Sequence, residues 1–219
     1  MADYHYYAAR LEIEYAQKLN RLTTFFRLVC IIPIAIVLGL ISQTGQMANT
    51  ATILNQAGEI VKKTWDTAGG LVSGLAAATA LLIFFRQSYP RWWFEFAREL
   101  TRFQYRVWAY LLLLTDRYPS TVEDQSVHIE VDYPDVRNDL NRWMPLVKWF
   151  LAIPHYVVLA FLGIGACLAA GVAWFAILFT GQYPRGLFDF VVGVGRWGLR
   201  VSAYAFLLVT DRYPPFSLG

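Results

Sequence analysis

The chain has 219 residues, 57% apolar and 16% aromatic, with 16% charged, a net charge of +3 and a mean hydropathy of +0.38. An average soluble domain carries about 25% charged residues and about 45–50% apolar ones. The shortfall of charge excludes a disordered tail, a coiled coil and a typical cytosolic enzyme, and points to an integral membrane protein.

The first residues, Met1-Ala2-Asp3-Tyr4-His5, are polar and acidic. They differ from a cationic, cleavable signal, so insertion is expected to begin with the first apolar segment. Residues 11–15, Leu11-Glu12-Ile13-Glu14-Tyr15, alternate apolar and charged, the period of a half-buried strand. A short span is predicted over residues 25–41, with Pro33 as a kink and Arg27 as a snorkelling anchor. In the stretch 42–70, Met47, Ala51, Leu54, Gly58, Val61 and Trp65 recur at helical spacing. That spacing predicts an amphipathic outer helix, with Met47, Leu54, Val61 and Trp65 as candidates for docking a partner. A second short span over 68–85 would complete a hairpin.

The next helix, about 91–115, is expected to gather Arg91, Glu95, Arg98, Glu99, Arg102, Arg106, Asp116 and Arg117 into a narrow arc among tryptophans and phenylalanines. Each ion would cost about 2.5–3.5 kcal/mol at mid-bilayer, so this helix is expected to lie flat at the interface. Its Arg91, Arg98, Arg102 and Arg106 then become candidates for lipid phosphates or a partner. Residues 127–133 repeat the strand alternation and are expected to pair with 11–15 as a small cytoplasmic ribbon. The run from Trp143 to Thr180 reads as two helices, 145–163 and 166–181, turning at Gly163 and Gly165. Lys148 would be its anchor and Pro154 its kink. The final helix, about 185–209, places Arg185, Asp189, Arg196 and Arg200 where Arg91, Glu95, Arg102 and Arg106 stood. Arg185, Arg196 and Arg200 join the lipid or partner candidates, and Glu95 and Asp189 are assigned to pairing between the halves.

These correspondences indicate a duplication. Gln87-Ser88-Tyr89-Pro90-Arg91 matches Gln182-Tyr183-Pro184-Arg185, and Thr-Asp-Arg-Tyr-Pro occurs at both 115–119 and 210–214. Each Thr-Asp-Arg-Tyr-Pro reads as a helix stop, its Arg favouring the helix C-terminus and its Pro ending the helix. With these motifs, over about residues 10–215, the chain resembles a duplicated family of small bacterial membrane proteins catalogued only as a domain of unknown function. The resemblance implies a membrane location and transfers no catalytic residue.

The expected fold is therefore an all-α integral membrane protein of two tandem parallel repeats, 1–120 and 121–219. Each repeat would hold a strand, a two-helix transmembrane hairpin and an interfacial helix. Of the 19 basic residues, only Lys62 and Lys63 fall in a hairpin loop. The positive-inside rule then predicts a multi-pass protein of the bacterial inner membrane, both termini cytoplasmic. Cys30 and Cys167 are expected to be buried thiols, and His155 an interhelical hydrogen-bond donor. No catalytic residue, metal or cofactor is expected, since no phosphate loop, zinc motif or nucleophile–base set occurs. The functional expectation is a non-catalytic accessory or scaffold subunit. Its partners would be the bilayer, anionic phospholipids and other subunits or itself, without nucleic acid. The alternative is a small transporter or lipid-handling protein with a path between the repeats.

Overall fold

A computed structural model describes residues 7–34, 36, 49–54, 60–65, 71–120, 123 and 125–219. The elements in chain order are β1 (Ala9–Ile13), α1 (Arg21–Cys30), β2 (Asn49–Leu54), β3 (Ile60–Trp65), α2 (Leu71–Arg86) and α3 (Arg91–Leu111). They continue with β4 (Val127–Val131), α4 (Met144–Leu151), α5 (Ile153–Thr180) and α6 (Arg185–Ala205). The two alternating segments pair with each other: β1 runs antiparallel to β4, with Leu11 opposite Ile129 at the centre. Ala9, Leu11, Ile13, Val127, Ile129 and Val131 all point into the core, and Glu12 and Glu130 point out. A lone two-stranded ribbon is marginal, and this one is backed by helices, α6 on β1 and α3 on β4. At the crossing, a Cβ on Gly195 would lie 2.7 Å from Trp108 and 3.0 Å from Leu11, so only glycine admits both.

The expected four-span, two-hairpin architecture is not found. Among the described residues, only α5 is long and apolar enough to cross a membrane, with a mean hydropathy of 2.3 over its best window. This finding overturns both the two-repeat polytopic all-α fold and the multi-pass placement built on it. Helix α1 has 10 residues and α2 has 16; residues 32–34 and 36 are also helical, and residues 35 and 37–41 of the expected first span lie outside the described residues. The turn predicted at Gly163 and Gly165 is absent, because α5 runs through both for 28 residues. Glycine inside a helix costs only about 1 kcal/mol, and the surrounding leucines, alanines and isoleucines favour continuation. The helix ends instead at Gly181, whose φ of 75° suits a residue without Cβ. Pro154 marks a break rather than a kink: α4 ends at Leu151, Ala152 caps it, and Pro154 sits in the first turn of α5.

The outer-helix expectation for 42–70 is also overturned. Its described residues form an antiparallel hairpin, with Asn49 opposite Trp65 and Leu54 opposite Ile60. Thr50, Thr52, Ile53, Ile60, Val61 and Thr64 are β-branched, which outweighs the helical spacing of the apolar set. Leu54 lies on β2 and Val61 and Trp65 on β3, whereas Met47 lies outside the described residues. Nor does α6 lie flat on a surface. It is buried on several sides, from Phe188 through Val191, Trp197 and Leu199 to Tyr204, against α5, α4 and β1.

Candidate functional site

The molecule's most unusual feature is its inside-out helices. In α1, Thr24 and Arg27 are buried while Leu22, Phe25, Phe26 and Val29 are exposed. In α4, Lys148 is fully buried while Leu146, Val147, Trp149, Phe150 and Leu151 are exposed. Soluble helices arrange these classes the other way round.

Each buried cation is held by one of the repeated Thr-Asp-Arg-Tyr-Pro segments. Arg27 pairs with Asp116 and donates through Nη1 to the carbonyls of Tyr110 at 2.8 Å and Thr115 at 2.9 Å. Lys148 Nζ lies 2.7 Å from Asp211 and donates to the Thr210 carbonyl at 2.8 Å. Both aspartates also accept a backbone N–H: Asp116 from Asn20 and Asp211 from Asn141, each at 2.6 Å. Each cation sits over a tyrosine ring, Arg27 over Tyr110 at 4.4 Å and Lys148 over Tyr204 at 5.2 Å. Leu113 and Leu208, just before these segments, take left-handed φ values of 66° and 57°. The two residues read as snorkelling anchors are therefore cores of ion-pair knots, and the motif is a carboxylate clamp. The expected helix stop is not found, because α3 ends at Leu111 and α6 at Ala205, before either segment begins and with no basic residue in the last turn.

The arginine stripes are occupied in an ordered way. Arg102 Nε donates to the Ile129 carbonyl and Arg196 Nε to the Leu11 carbonyl, each at 3.1 Å. Leu11 and Ile129 face one another at the ribbon's centre, so each guanidinium caps an outward carbonyl of the strand packed on its own helix. Arg91 lies 5.4 Å from the Tyr133 ring and Arg185 3.9 Å from the Tyr15 ring. Arg106 donates to the Ser120 carbonyl, and Arg200 to the Ser217 carbonyl at 2.6 Å. Arg98 and Arg102 both reach Glu99, at 3.2 and 2.8 Å. Glu95 and Asp189 are exposed, and among the described residues neither forms an ion pair.

Burial, then the Arg196 charge, lower the Arg200 pKa, while the Coulombic influence of Tyr7 opposes them. Burial likewise raises the Tyr7 hydroxyl, which donates to the Arg200 and Arg212 carbonyls at 3.3 and 3.1 Å. His155 is buried, and its Nδ1 accepts from Trp197 Nε1 at 3.0 Å instead of donating. The Phe216 ring stacks on it at 4.0 Å. Cys30 and Cys167 are both exposed, on α1 and α5, and not buried as expected. Among the described residues no three His, Cys, Asp or Glu side chains gather where they could hold a metal.

The family model described as Domain of unknown function (DUF4389) matches residues 142–217, which hold α4, α5, α6 and the second Thr-Asp-Arg-Tyr-Pro segment. No curated protein and no solved structure matches the chain.

Proposed function

We propose that this protein is a non-catalytic membrane protein, an accessory or scaffold subunit that holds anionic lipids and neighbouring subunits around a rigid ribbon. The observation that carries this reading is the inside-out surface. On α5, Phe161, Ile164, Leu168, Val172, Phe175 and Phe179 form one exposed stripe, each more than half exposed. The opposite face, Ala166, Ala169, Ala170, Ala173 and Ile177, is buried. No charged residue lies between Lys148 and Arg185. At about 1.5 Å per residue α5 reaches about 42 Å, more than the about 30 Å of a bilayer's hydrocarbon core. Lipid or an apolar subunit surface covers such a stripe without cost, and water does not.

The matched knots, arginine caps and tyrosine platforms support a tandem duplication, with each half's strand seated on the other half's helix. The arginine faces of α3 and α6 would then meet phosphates where they are not already spent on the ribbon.

A second reading, lipid handling between the halves, is favoured by one cavity. About 370 Å³ lies open between α3, α5 and α6, lined by Tyr105, Trp108, Leu159, Gly163 and Gly198.

Alkaline carbonate extraction of membranes carrying the full chain tests the first reading. The protein should stay in the pellet, and Leu168→Lys with Val172→Lys should release it. Release of the wild type would contradict the membrane role. Native mass spectrometry after gentle solubilisation should show a heteromer; a lone protomer that moves lipid between vesicles would favour the second reading.

A further inference from the structure

Resting on the reading above that anionic headgroups are among this protein's ligands, we infer that the cavity between β1 and α6 is a binding site for a single phosphate group. The cavity holds about 440 Å³ and is lined by Tyr7, Arg10, Glu12, Arg196 and Arg200, with Gly219 at its rim. Arg10 is already paired with Glu130 at 3.2 Å. Arg196 and Arg200 have no such neutralisation: among the described residues neither meets a carboxylate within ion-pair distance. Their one-turn spacing sets two like charges side by side, which is destabilising unless an anion bridges them.

The corresponding place in the other half is balanced differently. There Arg102 meets Glu99 at 2.8 Å, three residues earlier on α3. Three residues before Arg196 stands Gly193, and a Cβ there would lie 2.8 Å from the Leu218 carbonyl oxygen. The C-terminal residues thus occupy the space where a neutralising carboxylate would stand, and one of the two arginine pairs is left electrostatically open.

The nitrogens that remain suit an oxyanion. Arg196 uses Nε on the Leu11 carbonyl, and Arg200 uses Nη2 on Ser217 and Nε on the Arg196 carbonyl. Both Nη nitrogens of Arg196 and Nη1 of Arg200 have no partner among the described residues. Fixed guanidinium groups present planar, charge-assisted donors that match the oxygens of a phosphate. Glu12 is the one acidic side chain lining the cavity, and it weakens the site without filling it. A free phosphate and a phospholipid headgroup offer the same chemistry.

Two arms separate these sources. Inorganic phosphate is titrated calorimetrically into the full chain in neutral detergent. The same protein is floated on vesicles of phosphatidylcholine alone and of phosphatidylcholine with phosphatidylglycerol. Saturable phosphate binding identifies a free anion. Preference for phosphatidylglycerol without phosphate binding identifies a headgroup. Either supports the site. In the active arm Arg196→Gln should weaken binding about tenfold, and Arg137→Gln, the same charge change at a residue that does not line the cavity, should leave it unchanged. Glu12→Gln, on the exposed face of β1, should strengthen it about threefold, a readout that holds even if Arg196→Gln fails to fold. Failure of both arms, or equal losses from Arg196→Gln and Arg137→Gln without a gain from Glu12→Gln, overturns the inference. A protein that floats with neutral vesicles but ignores both anions rejects this site alone. One that binds phosphate but leaves neutral vesicles keeps the site and rejects the membrane reading.

Discussion

Helices α3 and α6 carry the same four charges at the same spacing, Arg91, Glu95, Arg102 and Arg106 against Arg185, Asp189, Arg196 and Arg200. Each uses one arginine to cap the ribbon and another to cover a tyrosine ring. Their surroundings nevertheless differ. Helix α3 keeps Glu99 beside its cap and leaves much of its surface half-exposed, whereas α6 has Gly193 there and is buried over most of its length. Matching backbone chemistry fixes the scaffold in both halves, and the residues between the shared charges decide which half is electrostatically satisfied.

Breaking one knot should have the largest effect. Lys148→Ala leaves Asp211 without its cation and should cost about 3–5 kcal/mol in a denaturation series. Lys148→Met combined with Asp211→Leu should recover most of that loss, because it removes both charges together. The other half should be less tolerant of a conservative change. Arg27→Lys gives up the fork that serves two carbonyls and Asp116 at once, with an expected loss of about 2 kcal/mol.

Glycine substitutions sharpen the contrast between close and open crossings. Gly195→Ala drives a Cβ into Trp108 and Leu11 and should cost about 1–3 kcal/mol. Gly163→Ala meets nothing within 4 Å and should stabilise α5 by about 0.5–1 kcal/mol. A melting-temperature difference of opposite sign for the two would decide the point.

The smallest effect concerns acid. Hydrogen bonding from the Asn138 side chain, then from the Asn138 and Arg137 backbones, holds the Asp135 carboxyl below its ordinary range. A depressed folded pKa means that this contribution is present above the unfolded value and is lost as pH falls through the folded one. Asp135→Asn should therefore flatten the acid limb of a stability–pH curve and leave neutral pH nearly unchanged.

The strands were legible because their alternation is strict, and the stripe because 100° steps gather charges whatever they touch. The knots were not, since a cation before an apolar run has the same appearance whether it snorkels or turns inward. A signal did exist: Arg27 and Lys148 each follow an asparagine, Asn20 and Asn141, by seven residues, and each half carries one repeated aspartate. Residues 49–54 and 60–65 misled because the residues between the helically spaced apolar ones, Thr50, Thr52, Ile53, Ile60 and Thr64, are β-branched, and strand pairing is a tertiary outcome. Gly163 and Gly165 misled because a glycine pair reads as a turn although an apolar helix absorbs it. The unbalanced Arg196 escaped notice because Gly193 is neutral and the residues that cross it lie about 25 positions later in the chain.

The proposed membrane role requires that lipid cover the apolar exteriors of α1, α4 and α5 while the cations point inward. Cys167, exposed on α5, provides a native probe. A nitroxide attached there in a Cys30→Ser background, with the protein in vesicles, can be tested for collision with oxygen and with a water-soluble nickel chelate. The account predicts oxygen contact well above nickel contact; nickel contact equal to that of a label on exposed Glu12 would contradict it.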